Sequence, residues 1–130
     1  MSALRVLVVD DNFMNLEMAS FVLGADAMEV ETADGAQEAL AKISRFKPEL
    51  ILMDIQMPGM DGVTLARRLK ADVATRQIVI VAFTAYAMRG DAAKLTSAGC
   101  DGYISKPIDV GTFAAEVRGY AGRAANVNQV

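Results

Sequence analysis

Five short runs carry most of the apolar character of the chain: residues 4–9 (LRVLVV), 28–33 (MEVETA), 50–53 (LILM), 78–83 (IVIVAF) and 102–105 (GYIS). They are too short for helices. Three of them are almost continuously Val, Ile, Leu or Met rather than alternating with polar residues, as strands covered on both faces of a parallel sheet are. The run at 28–33 is the most polar and suits an edge strand.

The segments between the runs carry helical spacing. Ala36, Ala39, Leu40 and Ile43 repeat behind Asp34, which with Gln37 resembles a capping box. Leu65, Ala66 and Leu69 mark another helix behind Asp61, a good N-cap residue, and Lys70 near its end suits the negative end of the helix dipole. Phe113, Val117 and Tyr120 mark the last helix, behind Asp109. A first helix over roughly 12–23 carries Met14, Met18, Phe21 and Val22. A fourth, over roughly 88–98, ends at Gly99 in an αL capping position and is weakened internally by Gly90. Strand and helix alternate five times without a long linker, which predicts βαβ units, an α/β class and one domain over residues 1–122. Residues 123–130 lack periodicity and are expected to form a flexible tail.

In open α/β sheets the chemistry collects beyond the carboxyl ends of the strands, so the residues that follow each run are the ones to interpret. They are Asp10 and Asp11, then Asp54, Thr84 and Lys106. Three carboxylates offer hard oxygen ligands to Mg²⁺. Asp10 and Asp11 are adjacent, and both can serve one site only where a strand gives way to a loop. The alternative for this pair is N-capping of the first helix by Asp11 or Asn12. An acid directly after a buried run is costly unless something offsets its desolvation, and a metal ion with Lys106 would do so for Asp54. A carboxylate so held can attack phosphorus, with Lys106 and the Thr84 hydroxyl taking phosphoryl oxygens. The alternatives are a strand-end hydroxyl cap for Thr84 and a solvated surface charge for Lys106. Lys106-Pro107 is an X-Pro bond, where cis is cheap, and cis is expected here.

The 130 residues are 53% hydrophobic, enough for a substantial core, and the net charge of −3 comes with no basic stripe for nucleic acid. No run is long enough to span a membrane, and a cytoplasmic protein is expected. Histidine is absent, which excludes Ser-His-Asp triads and histidine-bearing zinc sites. A phosphohistidine that served this chain would belong to another molecule. Cys100 is the single cysteine, read as a small buried residue rather than a reactive thiol.

The segments VLVVDDN (6–12), LILMDIQMPGMDG (50–62), FTAYAM (83–88) and GYISKP (102–107) together resemble the CheY-like response-regulator receiver domain. The resemblance covers essentially residues 4–122. It implies a flavodoxin-like three-layer α/β/α sandwich with five parallel strands in order 2-1-3-4-5 and five helices. It further implies phosphorylation of Asp54, with Mg²⁺ held by Asp10, Asp11, Asp54 and the Gln56 backbone carbonyl. Thr84 and Lys106 would bind the phosphoryl group, Thr84 and Tyr103 would act as switch residues, and Gln56 and Tyr86 would gate the hydrolytic water. Ala85 would leave room for the donor. The implied partners are a histidine kinase or histidine phosphotransfer protein and a downstream protein that reads the face of the fourth helix, fifth strand and fifth helix. Without an output domain the chain is expected to be a stand-alone receiver, most similar around Asp54, Thr84 and Lys106 to the DivK type. It would be a phosphoacceptor, not an enzyme. Two other readings use the same residues: a phosphorylation-independent docking adaptor, and a phosphatase of the haloacid dehalogenase type. The second wants two Asp spaced by two after the first strand, where this chain has Asp10 and Asn12.

Overall fold

A computed structural model describes residues 3–55, 57, 59, 61–84 and 96–128, with side chains as far as 122. Its five strands are β1 (Arg5–Val9), β2 (Glu29–Ala33), β3 (Leu50–Asp54), β4 (Val79–Thr84) and β5 (Gly102–Ser105). All pair in parallel, in the order β2-β1-β3-β4-β5. The polar second strand lies at an edge, as its sequence suggests. Each predicted strand is present, and the last residues of β3 and β4 are the polar Asp54 and Thr84 themselves.

Among the described residues there are four helices: α1 (Phe13–Ala25), α2 (Ala36–Phe46), α3 (Gly62–Ala71) and α4 (Phe113–Asn128). The last of these is the fifth helix of the sequence pattern. The helix expected at 88–98 lies mostly outside the described residues; residues 96 and 97 are helical, and Gly99 follows with φ of 100°, the left-handed geometry expected of it. Helical backbone continues to Asn128 where a loose tail is expected. Arg123, Ala124 and Ala125 are strong helix formers and extend an existing helix without needing an apolar face.

The sheet separates two cores by the alternation of its side chains. Leu7, Val9, Ile51, Met53, Ile80 and Ala82 pack beneath α2 and α3. Val6, Val8, Leu50, Leu52, Val79, Val81 and Phe83 pack beneath α1 and α4. Two sequence expectations need correction, and the role expected of Lys70 in the last turn of α3 is extended. The buried face of α1 is Leu16, Ala19, Val22 and Leu23, whereas Met14, Met18 and Phe21 face solvent. This helix is apolar nearly all round, so spacing alone does not fix its orientation. The N-cap of α2 is Gly35 without a side-chain bond, and Glu38, not Gln37, reaches back to accept from the Asp34 N–H at 2.9 Å. Lys70 does more than face a helix dipole: its ammonium donates to the carbonyls of Arg76 and Ile78 and pairs with Asp101 at 2.9 Å. By contrast Asp61 caps α3 as expected, accepting from the Thr64 N–H at 2.8 Å.

Gly62 opens α3 directly against the end of β3. A Cβ there would stand 2.4 Å from the Asp54 carbonyl oxygen and 2.8 Å from the Ile55 Cα, both backbone atoms that cannot rotate away. Gly62→Ala is therefore expected to destabilise the chain by about 1–3 kcal/mol in urea unfolding, the usual cost of overpacking. Gly119, in α4 with open space around its Cα, sets the opposite sign. Gly119→Ala is expected to stabilise by about 0.5–1 kcal/mol through helix propensity.

Cys100 is half-buried, and its thiol is pushed up to about 11, first by burial and then by the Asp101 charge, with Lys70 opposing. Folding thus favours the neutral thiol. That contribution is intact below the ordinary value of 9.0 and is lost as pH rises through about 11. Alkylation by iodoacetamide near pH 9 is expected to be much slower for the native chain than for the urea-unfolded chain, with the two rates converging toward pH 11.

Candidate functional site

Side-chain alternation decides which strand-end residues meet. Asp10 follows Val6 and Val8, Asp54 follows Leu50 and Leu52, and Lys106 follows Ile104, so all three continue the register of the face beneath α1 and α4. The backbone holds that register past the strand ends: the Asp10 N–H donates to the Ala33 carbonyl at 3.1 Å, and the Lys106 N–H to the Thr84 carbonyl at 3.0 Å. The Lys106 ammonium lies 3.0 Å from Asp10 Oδ2 and 3.4 Å from Asp54 Oδ1. Asp10 is fully buried and Asp54 nearly so. Lys106 is mostly covered as well, its ammonium 5.1 Å from the centroid of the Phe83 ring, which packs on Phe113. The solvated-charge reading of Lys106 does not hold.

The helix that follows β1 is built around the same carboxylate. Asn12 is the N-cap of α1, accepting from the Asn15 N–H, while its own N–H donates to Asp10 Oδ1 at 2.9 Å. Asn15 Nδ2 donates to Asp10 Oδ2 at 3.2 Å. Capping is therefore the work of Asn12, which leaves Asp11 exposed and free of that role. Sequence patterning passes over Asn15 and Phe83. Asn15 is the first polar residue of the mostly apolar helix α1, within its first turn, and that position beside the N-cap is the signal that marks it.

Asp10, Asp11 and Asp54 each offer one carboxylate oxygen, and the three oxygens lie within 4.8 Å of one another. Two unit charges at that separation repel by roughly 3 kcal/mol at an effective dielectric constant of about 20. Lys106 offsets one of the three charges, so the cluster retains an excess of about two negative charges at neutral pH, which one divalent cation balances. An all-oxygen donor set with one open, exposed member fits a hard ion such as Mg²⁺ that keeps part of its water shell. Thr84 is buried at the end of β4, in register with Ser105. Tyr103 is half-exposed on β5, and its carbonyl accepts from the Tyr120 hydroxyl at 2.9 Å. The Lys106-Pro107 bond is cis, as expected. Gln56, Ala85 and Tyr86 lie outside the described residues, as does most of the fourth predicted helix.

A doubly wound parallel sheet with acids and a lysine gathered beyond its carboxyl ends defines the class. Residues 6–118 match the response regulator receiver domain, and the chain belongs to that family. It is 38% identical over 119 residues to the polar-differentiation response regulator DivK of Brucella anthropi, and equally to that of Brucella ovis, covering 92% of this chain and 97% of each relative. Among solved structures it is similar to the chemotaxis protein CheY4 of Vibrio cholerae, with a TM-score of 0.86 at 26% identity, covering 92% of this chain and 99% of that one. It is also similar to the receiver domain of the sensor histidine kinase PA1611 of Pseudomonas aeruginosa, with a TM-score of 0.83 at 26% identity over 93% and 99% of the two chains. That structure has a magnesium ion coordinated in its active site cleft. Among the described residues no helix is long and apolar enough to cross a membrane.

The charge imbalance gives a direct test. Mg²⁺ at a hundred times its dissociation constant is expected to stabilise the chain by about 2.7 kcal/mol. Calorimetry would register this as a higher Tm. Asp11→Asn, at the exposed position, should leave the fold intact and reduce the Mg²⁺-dependent rise, because it removes one ligand and part of the excess charge.

Proposed function

We propose that the chain is a single-domain response regulator that accepts a phosphoryl group on Asp54 and signals by phosphorylation-dependent binding to other proteins. The observation that carries this reading is the Lys106 ammonium held between Asp10 and Asp54, with three carboxylate oxygens within 4.8 Å. The donor is a histidine kinase or histidine phosphotransfer protein, since this chain has no histidine of its own. An Asp54 carboxylate oxygen attacks phosphorus, the phosphorus–nitrogen bond of the donor breaks, and the released imidazole nitrogen takes up a proton. Phosphoryl transfer asks chiefly for positioning and charge neutralisation.

Each residue has a separate task. Asp54 is the acceptor, and Lys106 neutralises one oxygen of the incoming group, shifting from its pairing with the two carboxylates. Asp10, Asp11, Asp54 and the Gln56 backbone carbonyl would hold Mg²⁺, which when bound offsets negative charge on the phosphoryl oxygens. The Thr84 hydroxyl takes a further oxygen and, with Tyr103, reports the modified state to the face formed by the fourth predicted helix, β5 and α4. A downstream protein that binds the two states unequally converts the modification into a signal. The receiver unit is residues 1–122, and the setting is cytoplasmic, without nucleic-acid or membrane binding. The reaction is acceptance of one group, with at most slow self-dephosphorylation, rather than multiple turnover.

Incubation with acetyl phosphate and Mg²⁺ is expected to add one phosphoryl group per chain by intact mass, lost in Asp54→Asn and on removal of the metal with a chelator. Partner capture with beryllofluoride present and absent should differ for the native chain and not for Asp54→Asn. Unchanged capture in both would instead support the docking adaptor.

A further inference from the structure

The first turn of α1 clamps the Asp10 carboxylate through both of its oxygens. The Asn12 N–H donates to Oδ1 at 2.9 Å, and Asn15 Nδ2 donates to Oδ2 at 3.2 Å. Asn15 is fixed in turn, because its backbone N–H donates to the Asn12 side chain at 3.2 Å. Asp10, Asn12 and Asn15 thus close a ring of three hydrogen bonds, and the carboxylate cannot rotate without breaking one of them. The helix itself does not need an asparagine at this position. Its cap bond uses the backbone N–H, which any residue except proline supplies, and Asn is a poorer helix former than Ala or Leu.

The two oxygens of Asp10 are served unequally. Oδ2 also faces the Lys106 ammonium at 3.0 Å, so it accepts from a neutral amide and a cation at once. A carboxylate oxygen has about two acceptor sites, which are both taken on Oδ2, while Oδ1 keeps one. Asp10 has no exposed surface, so bulk water does not replace a partner that leaves. With Lys106 in place, the second donor on Oδ2 is redundant.

That redundancy ends when Lys106 shifts. A phosphoryl group on Asp54 draws the ammonium, 3.4 Å from Asp54 Oδ1, toward the new oxygens and away from Asp10. With no other donor, Oδ2 would become a buried unpaired charge, and its cost would oppose the shift. We propose that Asn15 is a positioning residue for phosphoryl acceptance, its amide holding Oδ2 of Asp10 once Lys106 has moved to the phosphoryl group. The residue type suits the task. An amide donates without adding charge, whereas a cation here would cancel part of the negative excess that fits Mg²⁺, and a carboxylate could not donate. The inference rests on acceptance of the group at Asp54 and deepens that reading.

Asn15→Leu removes the donor at similar volume and improves helix propensity. Without Mg²⁺ its urea midpoint is expected to stay near that of the native chain, because Lys106 still covers Oδ2. Beryllofluoride with Mg²⁺, which mimics the phosphoryl group, is expected to bind about tenfold more weakly by calorimetry, as for a lost hydrogen bond to a charged group. Asn15→Ala should behave alike. Equal beryllofluoride affinity in the folded variants and the native chain overturns the proposal. So does a tenfold loss of metal-free stability, or failure of both variants to fold, since either assigns Asn15 a purely structural role. A native chain that neither takes up a phosphoryl group from acetyl phosphate nor binds beryllofluoride sinks the Asp54 reading and this inference with it. A native chain that does both, beside unchanged variants, sinks this inference alone.

Discussion

The ammonium of Lys106 holds together a site that would otherwise push itself apart. Asp10 is fully buried, Asp54 nearly so, and Asp11 brings a third carboxylate oxygen within 4.8 Å. Each of those charges is drawn from water or placed against a like charge, and each placement opposes folding. Lys106 answers two of them at 3.0 and 3.4 Å, and its covered position beside the Phe83 ring strengthens those contacts relative to water. The Asn12 N–H and Asn15 amide complete the hydrogen bonding of Asp10. What remains is an excess of negative charge at one exposed mouth, a donor set that fits a divalent cation.

The sheet supplies the geometry that the ion pairs require. Strand register brings Met53 beside Val9 and Asp54 beside Phe83, and the alternation of side chains sends Asp10, Asp54 and Lys106 toward the same face. A one-residue slip in any strand would reverse the face and break the cluster. The register is specified by the apolar residues beneath, since Leu50, Leu52, Val79 and Val81 must stay in one core and Ile51, Met53 and Ile80 in the other. Packing and charge therefore select the same arrangement.

Much of this was legible in the sequence because buried parallel strands leave little ambiguity. The runs at 50–53 and 78–83 could hardly be anything else, and of the polar residues at strand ends the structure brings Asp10, Asp11, Asp54 and Lys106 together. Asp54 and Thr84 proved to be the last residues of their strands, because ladder pairing depends on the backbone and not on side-chain polarity. Less legible was whatever depends on direction. The apolar residues of α1 could mark either face, and only packing shows that Leu16 and Leu23 turn inward while Phe21 turns out. The α2 cap shifted by one residue for a similar reason, since Asp34 and Gly35 both suit a helix entry and the Glu38 contact distinguishes them. Lys70 illustrates the limit most plainly: its partner Asp101 is 31 residues away, beyond any local pattern.

The same directional logic makes β5 the strand that ties the carboxylate cluster to α4. The inner strands β1, β3 and β4 are covered on both faces and cannot shift without disturbing a core. Strand β5 has one paired edge, against β4, and carries the half-exposed Tyr103 beside the lysine that faces the carboxylates. Gly102 lets the Tyr120 ring lie directly on this strand, where a Cβ would stand 2.1 Å from the ring, and the Tyr120 hydroxyl holds the Tyr103 carbonyl. Lys106 is thus tied on one side to β4 by its ladder bond to the Thr84 carbonyl and on the other, through β5 and Tyr120, to α4. The site and the outer helix are joined through four consecutive residues, Tyr103 to Lys106.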